Sequence, residues 1–193
     1  FLECWLAYII TGSFILKKQV RSEKEQMGIS ITNRQRRVRL KIGPLRKRAE
    51  AVLDKLSSSD IIIDIAIVGD KAMRTINRQF RDINETTDVL SFPSGPSPDM
   101  GTLDVLAAEE ANHIGDIVVS VDEARGQAEE DGVSLDIAID RLIIHGCLHL
   151  HGFEHDLSAE ATKMRRKENQ LLKMLHGPDL PGYARPKKAQ GKN

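Results

Sequence analysis

The eleven residues from His145 to His155, HGCLHLHGFEH, set three histidines at the spacing H-x3-H-x5-H. On a helix, His145 and His149 lie one turn apart, so both imidazoles leave the same face and can reach one ion. Gly152 supplies a residue that adopts positive φ without a Cβ penalty and can end that helix. The chain can then turn back and bring His155 to the same point as a third nitrogen ligand. Three protein ligands leave one position of a tetrahedral zinc open, which is the pattern of a catalytic site and not of a closed structural one. The stripe Leu135, Ala138, Ile139 and Leu142 runs directly into His145 and His149, so the metal face grows out of the core face of a helix that Ser134 can cap.

The rest of the chain mixes strands and helices without regular βαβ alternation. Short β-like runs are expected at Ile29–Thr32, Ile61–Val68, Val89–Phe92 and Ile114–Val121, the second being rich in β-branched residues. Helical spacing is expected over Pro44–Leu56, over Asp70 to about Phe80 with Asp70 as cap and Ala72, Met73 and Ile76 inward, over Asp122–Asp131, and from Ser158, as cap, to Leu175. Gly132 and Gly177 follow two of these segments as stop signals. The pattern predicts an α+β domain, a small mixed sheet covered by helices with the metal-binding helix packed on it. Ser94–Asn112, with two prolines and two glycines, is expected to be a long binding loop or lid.

The 193 residues suit one domain with a tail. Three segments are expected: 1–26 as a non-catalytic apolar extension, 27–177 as the metal-dependent domain, and 178–193 as a flexible basic tail. The first sixteen residues, FLECWLAYIITGSFIL, are mostly apolar and precede Lys17 and Lys18. They are short against the roughly 20 residues of a membrane span and carry charge on the wrong side for a signal peptide. No stable membrane association is therefore expected, and residues 1–26 are read as lying upstream of a start at Met27 or as an appendage. Lys plus Arg and Asp plus Glu both number 28, so no overall charge points to nucleic acid. Arg34–Arg48 nevertheless carries eight cations and no acid, which fits a polyanionic partner or a solvated face equally well. Cys4 and Cys147 cannot build a disulfide framework, which suits a reducing compartment, the cytoplasm.

Helical geometry separates the neighbours of the ligand face. His151, two residues after His149, points roughly 160° away from it, and Cys147 is excluded by the same argument; both read as packing or surface residues. The same histidine spacing occurs in metzincin peptidases, where a Glu follows the first histidine as general base. Here that position is Gly146. Glu154, Asp156 and Asp116 are the remaining candidates for a base.

HGCLHLHGFEHD resembles the signature of the YbeY family of ribosomal RNA maturation factors. Phe80–Pro93, FRDINETTDVLSFP, is similar to the family's Arg-bearing segment running into its T-D-V-L-S-F-P strand, and Gly115–Asp116–Ile117 to its G-D-I strand entry. The resemblance covers about residues 27–175 in the family's order. It implies a zincin-like fold with the metal in a cleft at the sheet, and a single-strand-specific, zinc-dependent endoribonuclease that matures the small-subunit rRNA 3′ end and serves ribosome quality control. The implied partners are single-stranded rRNA and the small ribosomal subunit with its proteins. Carried over by position, His145, His149 and His155 hold one Zn2+ per chain, and Arg81 is the arginine near the metal. Glu154 stands where the family usually has Asp, and His151 where an apolar residue is commoner. A metallopeptidase, and a non-catalytic ribosome-assembly factor with a structural zinc, are the alternative readings.

Arg81 is suited to the implied chemistry because attack on a phosphodiester builds charge on the non-bridging oxygens. A permanently protonated guanidinium fork can bind and stabilise that charge.

Overall fold

The computed structural model describes residues 28–56, 61–94, 112–153 and 158–180. Its elements, in chain order, are β1 (Gly28–Asn33), α1 (Ile42–Leu56), β2 (Ile62–Val68), α2 (Asp70–Arg81), β3 (Val89–Pro93), β4 (His113–Ser120), α3 (Val121–Asp131), α4 (Leu135–Leu150) and α5 (Ser158–His176). The strands form one sheet in the order β1-β2-β4-β3. β1, β2 and β4 run parallel and β3 closes the edge antiparallel to β4. This is the small mixed sheet of an α+β domain that the sequence pattern predicts.

The two faces of the sheet differ. Ile29, Ile31, Ile63, Ile65, Ile67, Ile117 and Val119 alternate along their strands toward a large apolar core that also holds the inner sides of α1, α3, α4 and α5. On the opposite face, Val68, Leu90 and Val118 meet Met73 of α2 in a smaller cluster, with Ala66, Ile76 and Phe92 packed at its edge. Gly146 lets α4 lie close on the sheet: a Cβ there would stand 2.8 Å from Ile117 Cγ2 and 3.1 Å from Ser91 Oγ. Gly115 does the same at the strand end, where a Cβ would lie 2.6 Å from Leu150 Cδ2 and collide with the Phe92 carbonyl.

Two local expectations change. Asp70 is the first residue of α2 and not its cap. Gly69 is the N-cap, and its carbonyl accepts from the N–H groups of Ala72 and Met73. The Asp70 carboxylate is engaged instead by the hydroxyls of Ser120 at 2.9 Å and Thr86 at 3.2 Å. Ala72 is exposed, because α2 buries only the narrow side that bears Met73 and Asn77. The helix expected from Ser158 begins with that residue. The caps at Ser134 and the stops at Gly132 and Gly177 are as the sequence suggests, the two glycines at φ 64° and 101°. Residues 1–27, most of the Ser94–Asn112 segment and 181–193 lie outside the described residues.

Candidate active site

α4 carries the site because its sequence makes it the most deeply packed helix. Ser134 Oγ accepts from the Ile137 N–H at 3.4 Å, and every residue from Ala138 to Leu148 is buried. Charges inside that stretch are matched. Asp140 receives Arg48 Nε from α1 at 2.5 Å and His176 Nε2 from α5 at 2.8 Å. Burial pushes its pKa up, and Arg48 and His176 beside it oppose the rise. Arg141 pairs with Asp131 at the end of α3. These bonds fix the rotation of α4 against its neighbours, and so the direction of the histidines.

His145 and His149 converge as the helical spacing predicts. Their Nε2 atoms are 3.1 Å apart, with the rings 84° from parallel. His145 Nδ1 meets Glu168 Oε1 of α5 at 2.6 Å, and both residues are 8% exposed. A carboxylate at that distance accepts a hydrogen bond from Nδ1–H and holds the proton on that nitrogen, which leaves the Nε2 lone pair directed at His149. Two imidazole nitrogens aimed at one point, one of them oriented by a buried carboxylate, form a donor set that suits a zinc ion. Gly152, at φ 77°, ends the helix, and its N–H bonds the His149 carbonyl at 2.9 Å. His155, Glu154 and Asp156 lie outside the described residues.

The neighbours of the pair have structural tasks. Cys147 is fully buried and its thiol is pushed up to about 12 by that burial, so it is no thiolate at neutral pH. His151 turns its Nδ1 to the Cys147 carbonyl at 2.7 Å and closes the C-terminal end of α4. Asp116 does not join the histidine pair. Gly115 and Ile117 face α4, so Asp116 lies on the other face of the sheet, in register with Asp64 and Phe92. There Asp64, His113 and Asp116 bring one donor atom each within 4.8 Å of one another, a group that could hold a metal ion.

Arg81 is the last residue of α2 and is exposed. Among the described contacts none joins it to His145 or His149. Its neighbour Phe80 packs edge-on against Phe92, centroids 4.9 Å apart, which lays the end of α2 on the end of β3. Pro93 and Leu150 crowd Gly115 at that same end of the sheet, so Arg81 and the end of α4 approach one rim of the domain. The loop after Arg81 is anchored by Asn77 Nδ2 to the Glu85 carbonyl at 2.9 Å. Asp88 ties it further, accepting from the Val89 N–H at 2.9 Å and from Gln127 Nε2 at 3.1 Å. The threonines and aspartate before β3 therefore work as braces between α2, β3 and α3.

The basic run resolves into an alternation. Arg34, Arg36, Arg37, Arg39 and Lys41 are exposed, while Val38, Leu40 and Ile42 pack toward the core. Arg37 reaches Asp122 at 3.2 Å and Arg48 is part of the Asp140 network. Glu168 is not among the residues to which the histidine spacing points. Its signal was present: Met164, Glu168, Leu171 and Leu172 form one buried stripe, and a carboxylate in such a stripe needs a buried partner.

Residues 30–176 match the family described as Endoribonuclease YbeY. The chain belongs to that family. It is 39% identical over 129 residues to the Endoribonuclease YbeY of an Anaeromyxobacter species, covering 67% of this chain and 62% of that relative. To the Endoribonuclease YbeY of Geobacter sulfurreducens it is 35% identical over 156 residues, covering 80% and 99% respectively. The chain thus spans under two thirds of the Anaeromyxobacter relative's length. The solution structure of a Thermotoga maritima protein shares the fold, with a TM-score of 0.54 at 23% identity over 77% of this chain and 89% of that one. Among the described residues no helix is long and apolar enough to cross a membrane.

Proposed function

We propose that this YbeY-family chain is a single-strand-specific, zinc-dependent endoribonuclease that acts in the cytoplasm on small-subunit rRNA, at its 3′ end, in concert with the small ribosomal subunit. The observation that carries the reading is the His145–His149 pair, its Nε2 atoms 3.1 Å apart and backed by Glu168, in a chain of this family. His145 and His149 would hold the metal through Nε2, with His155 completing the set. Bound zinc supplies a Lewis acid and the means to activate water near neutral pH. Glu168 keeps the His145 proton on Nδ1 throughout. Arg81, exposed at the rim, binds a non-bridging phosphate oxygen and stabilises the charge that develops there. Single-stranded RNA leaves its bases unpaired and its backbone open, the form in which a protein site most readily engages it.

The peptidase reading is disfavoured by packing as well as by sequence. A glutamate at position 146 would be driven into Ile117 and Ser91, so α4 could not carry a general base there and still lie on the sheet.

Arg81→Ala tests the assignment. The variant should keep fold and zinc, and its cleavage of a labelled single-stranded RNA should fall by roughly 100-fold or more, the scale for losing one donor to transition-state charge. Casein should be left intact by both proteins. Cleavage within a few-fold of the parent would return Arg81 to the solvated surface. A parent that binds zinc and cleaves no RNA would favour the assembly-factor reading.

A further inference from the structure

The sheet face away from α4 carries a second constellation that the histidine pair does not use. Asp64 of β2 and Asp116 of β4 are register partners on adjacent parallel strands, so two carboxylates stand side by side. Like charges on adjacent strands repel one another, and a cation held between them would relieve that repulsion. His113 supplies the third group, and a break in strand register brings it there. Ile62 pairs with His113 and Ile63 with Gly115, which leaves Ile114 as an extra residue. Ile114 packs toward the large core and Gly115 also faces α4. Two successive residues therefore point to one side, and His113 is swung to the other, as a bulge does. Regular alternation would have placed its ring against α4.

The distances are close to those of a coordination sphere. His113 Nε2 is 3.4 Å from Asp64 Oδ2 and 3.9 Å from Asp116 Oδ1. Both exceed the about 2.7–3.2 Å of an N–H···O hydrogen bond. Bonds of about 2.0–2.2 Å arranged tetrahedrally hold neighbouring donor atoms about 3.3–3.6 Å apart; the His113–Asp64 pair meets this, and Asp116, the most exposed of the three, stands a few tenths of an ångström outside it. The other ring nitrogen is already fixed: His113 Nδ1 lies 2.8 Å from Ser94 Oγ. That is the orienting contact a ligating imidazole ordinarily has. The His113 side chain is only 10% exposed and that of Asp64 13%, while Asp116 is 38% exposed, so the group is enclosed with an open side.

We infer that Asp64, His113 and Asp116 form a second divalent-cation site, separate from the histidine pair and on the opposite face of the sheet. One imidazole with two carboxylates suits a borderline ion of the Zn2+, Co2+ or Mn2+ class, and is a poor set for Mg2+, which prefers oxygen alone. Ser94 acts as the positioning residue. The cation would bind β2 to β4 at the row shared with Phe92, against which the end of α2 rests.

The test is Co2+ uptake by the full chain, followed by visible absorption and metal analysis. The parent should take up two ions per chain. Asp64→Asn with Asp116→Asn should take up one, and His149→Ala should lose the other. Ser94→Ala, which removes no ligand, should weaken the second site by about 10–100-fold and leave the first unchanged. His113→Asn provides a ligand loss on the strand edge should the double variant fail to fold. A parent that binds one ion, lost only in His149→Ala, would overturn the second site, as would unchanged uptake in both the Asp64/Asp116 and the His113 variants. One ion lost only with Asp64, His113 and Asp116 would keep the second site and remove the histidine pair as a metal centre.

Discussion

Glu168 can be removed in two steps, and the steps have different consequences. In the native protein its Oε1 sits 2.6 Å from His145 Nδ1, with both residues buried. Glu168→Gln keeps the shape and an acceptor oxygen but removes the charge that raises the basicity of the imidazole. Glu168→Ala removes the acceptor as well and leaves a buried Nδ1–H unsatisfied. Loss of a carboxylate behind a ligating histidine costs metal affinity about 10–100-fold. At about 1.4 kcal/mol per decade that is about 1.4–2.8 kcal/mol. Gln should fall near the lower end and Ala near the upper. The unsatisfied donor in Ala should lower the stability of the metal-free protein by about 1–3 kcal/mol besides. Zinc competition against a chelator of known affinity measures the first quantity, and urea unfolding measures the second. If Glu168→Ala binds zinc within twofold of the parent, then either His145 is not a ligand or its ring is held by something other than Glu168.

Gly115→Ala should be among the most damaging single-methyl changes. The backbone there has φ 152°, and the new Cβ would meet the Phe92 carbonyl and Leu150 Cδ2. Conformational strain of about 1–3 kcal/mol and overpacking of about 1–3 kcal/mol together give about 2–6 kcal/mol. Chemical denaturation would read this, and a loss below about 1 kcal/mol would mean that the strand end and α4 are not closely packed. Glu123 has its pKa raised, first by burial and then by Asp70, Asp88, Asp122 and Glu130. A carboxyl raised on folding contributes stability below its unfolded value of 4.5 and loses it as pH rises through the folded value. Glu123→Gln should therefore raise the Tm at pH 7, with the gain shrinking as pH falls toward 4.5. A gain that grows on acidification would contradict the sign.

What was legible in the sequence followed from periodicity. The α4 stripe ran unbroken into His145 and His149, so their convergence could be read from spacing. The β-branched run of β2 and the glycine stops fixed most boundaries to within a residue or two. What was not legible depended on contacts between distant segments. Glu168 lies 23 residues beyond His145, and nothing in the local pattern of α5 names its partner. The Asp64–His113–Asp116 group depends on strand order and on a bulge at Ile114, and neither leaves a mark in a single strand. Asp70 illustrates the converse error. Its position before an apolar stripe is a sound capping signal, but Ser120 and Thr86 hold the carboxylate elsewhere. Gly146 marks the missing base in the sequence, and in the structure the sheet leaves no room for a side chain there.

Cleavage of a labelled single-stranded RNA by the full chain, before and after treatment with a metal chelator and after return of zinc, bears most directly on the proposed activity. Cleavage should disappear with the metal and return with zinc, and His149→Ala should show neither the activity nor its recovery. Cleavage that persists undiminished in the chelated protein and in His149→Ala would contradict the proposal.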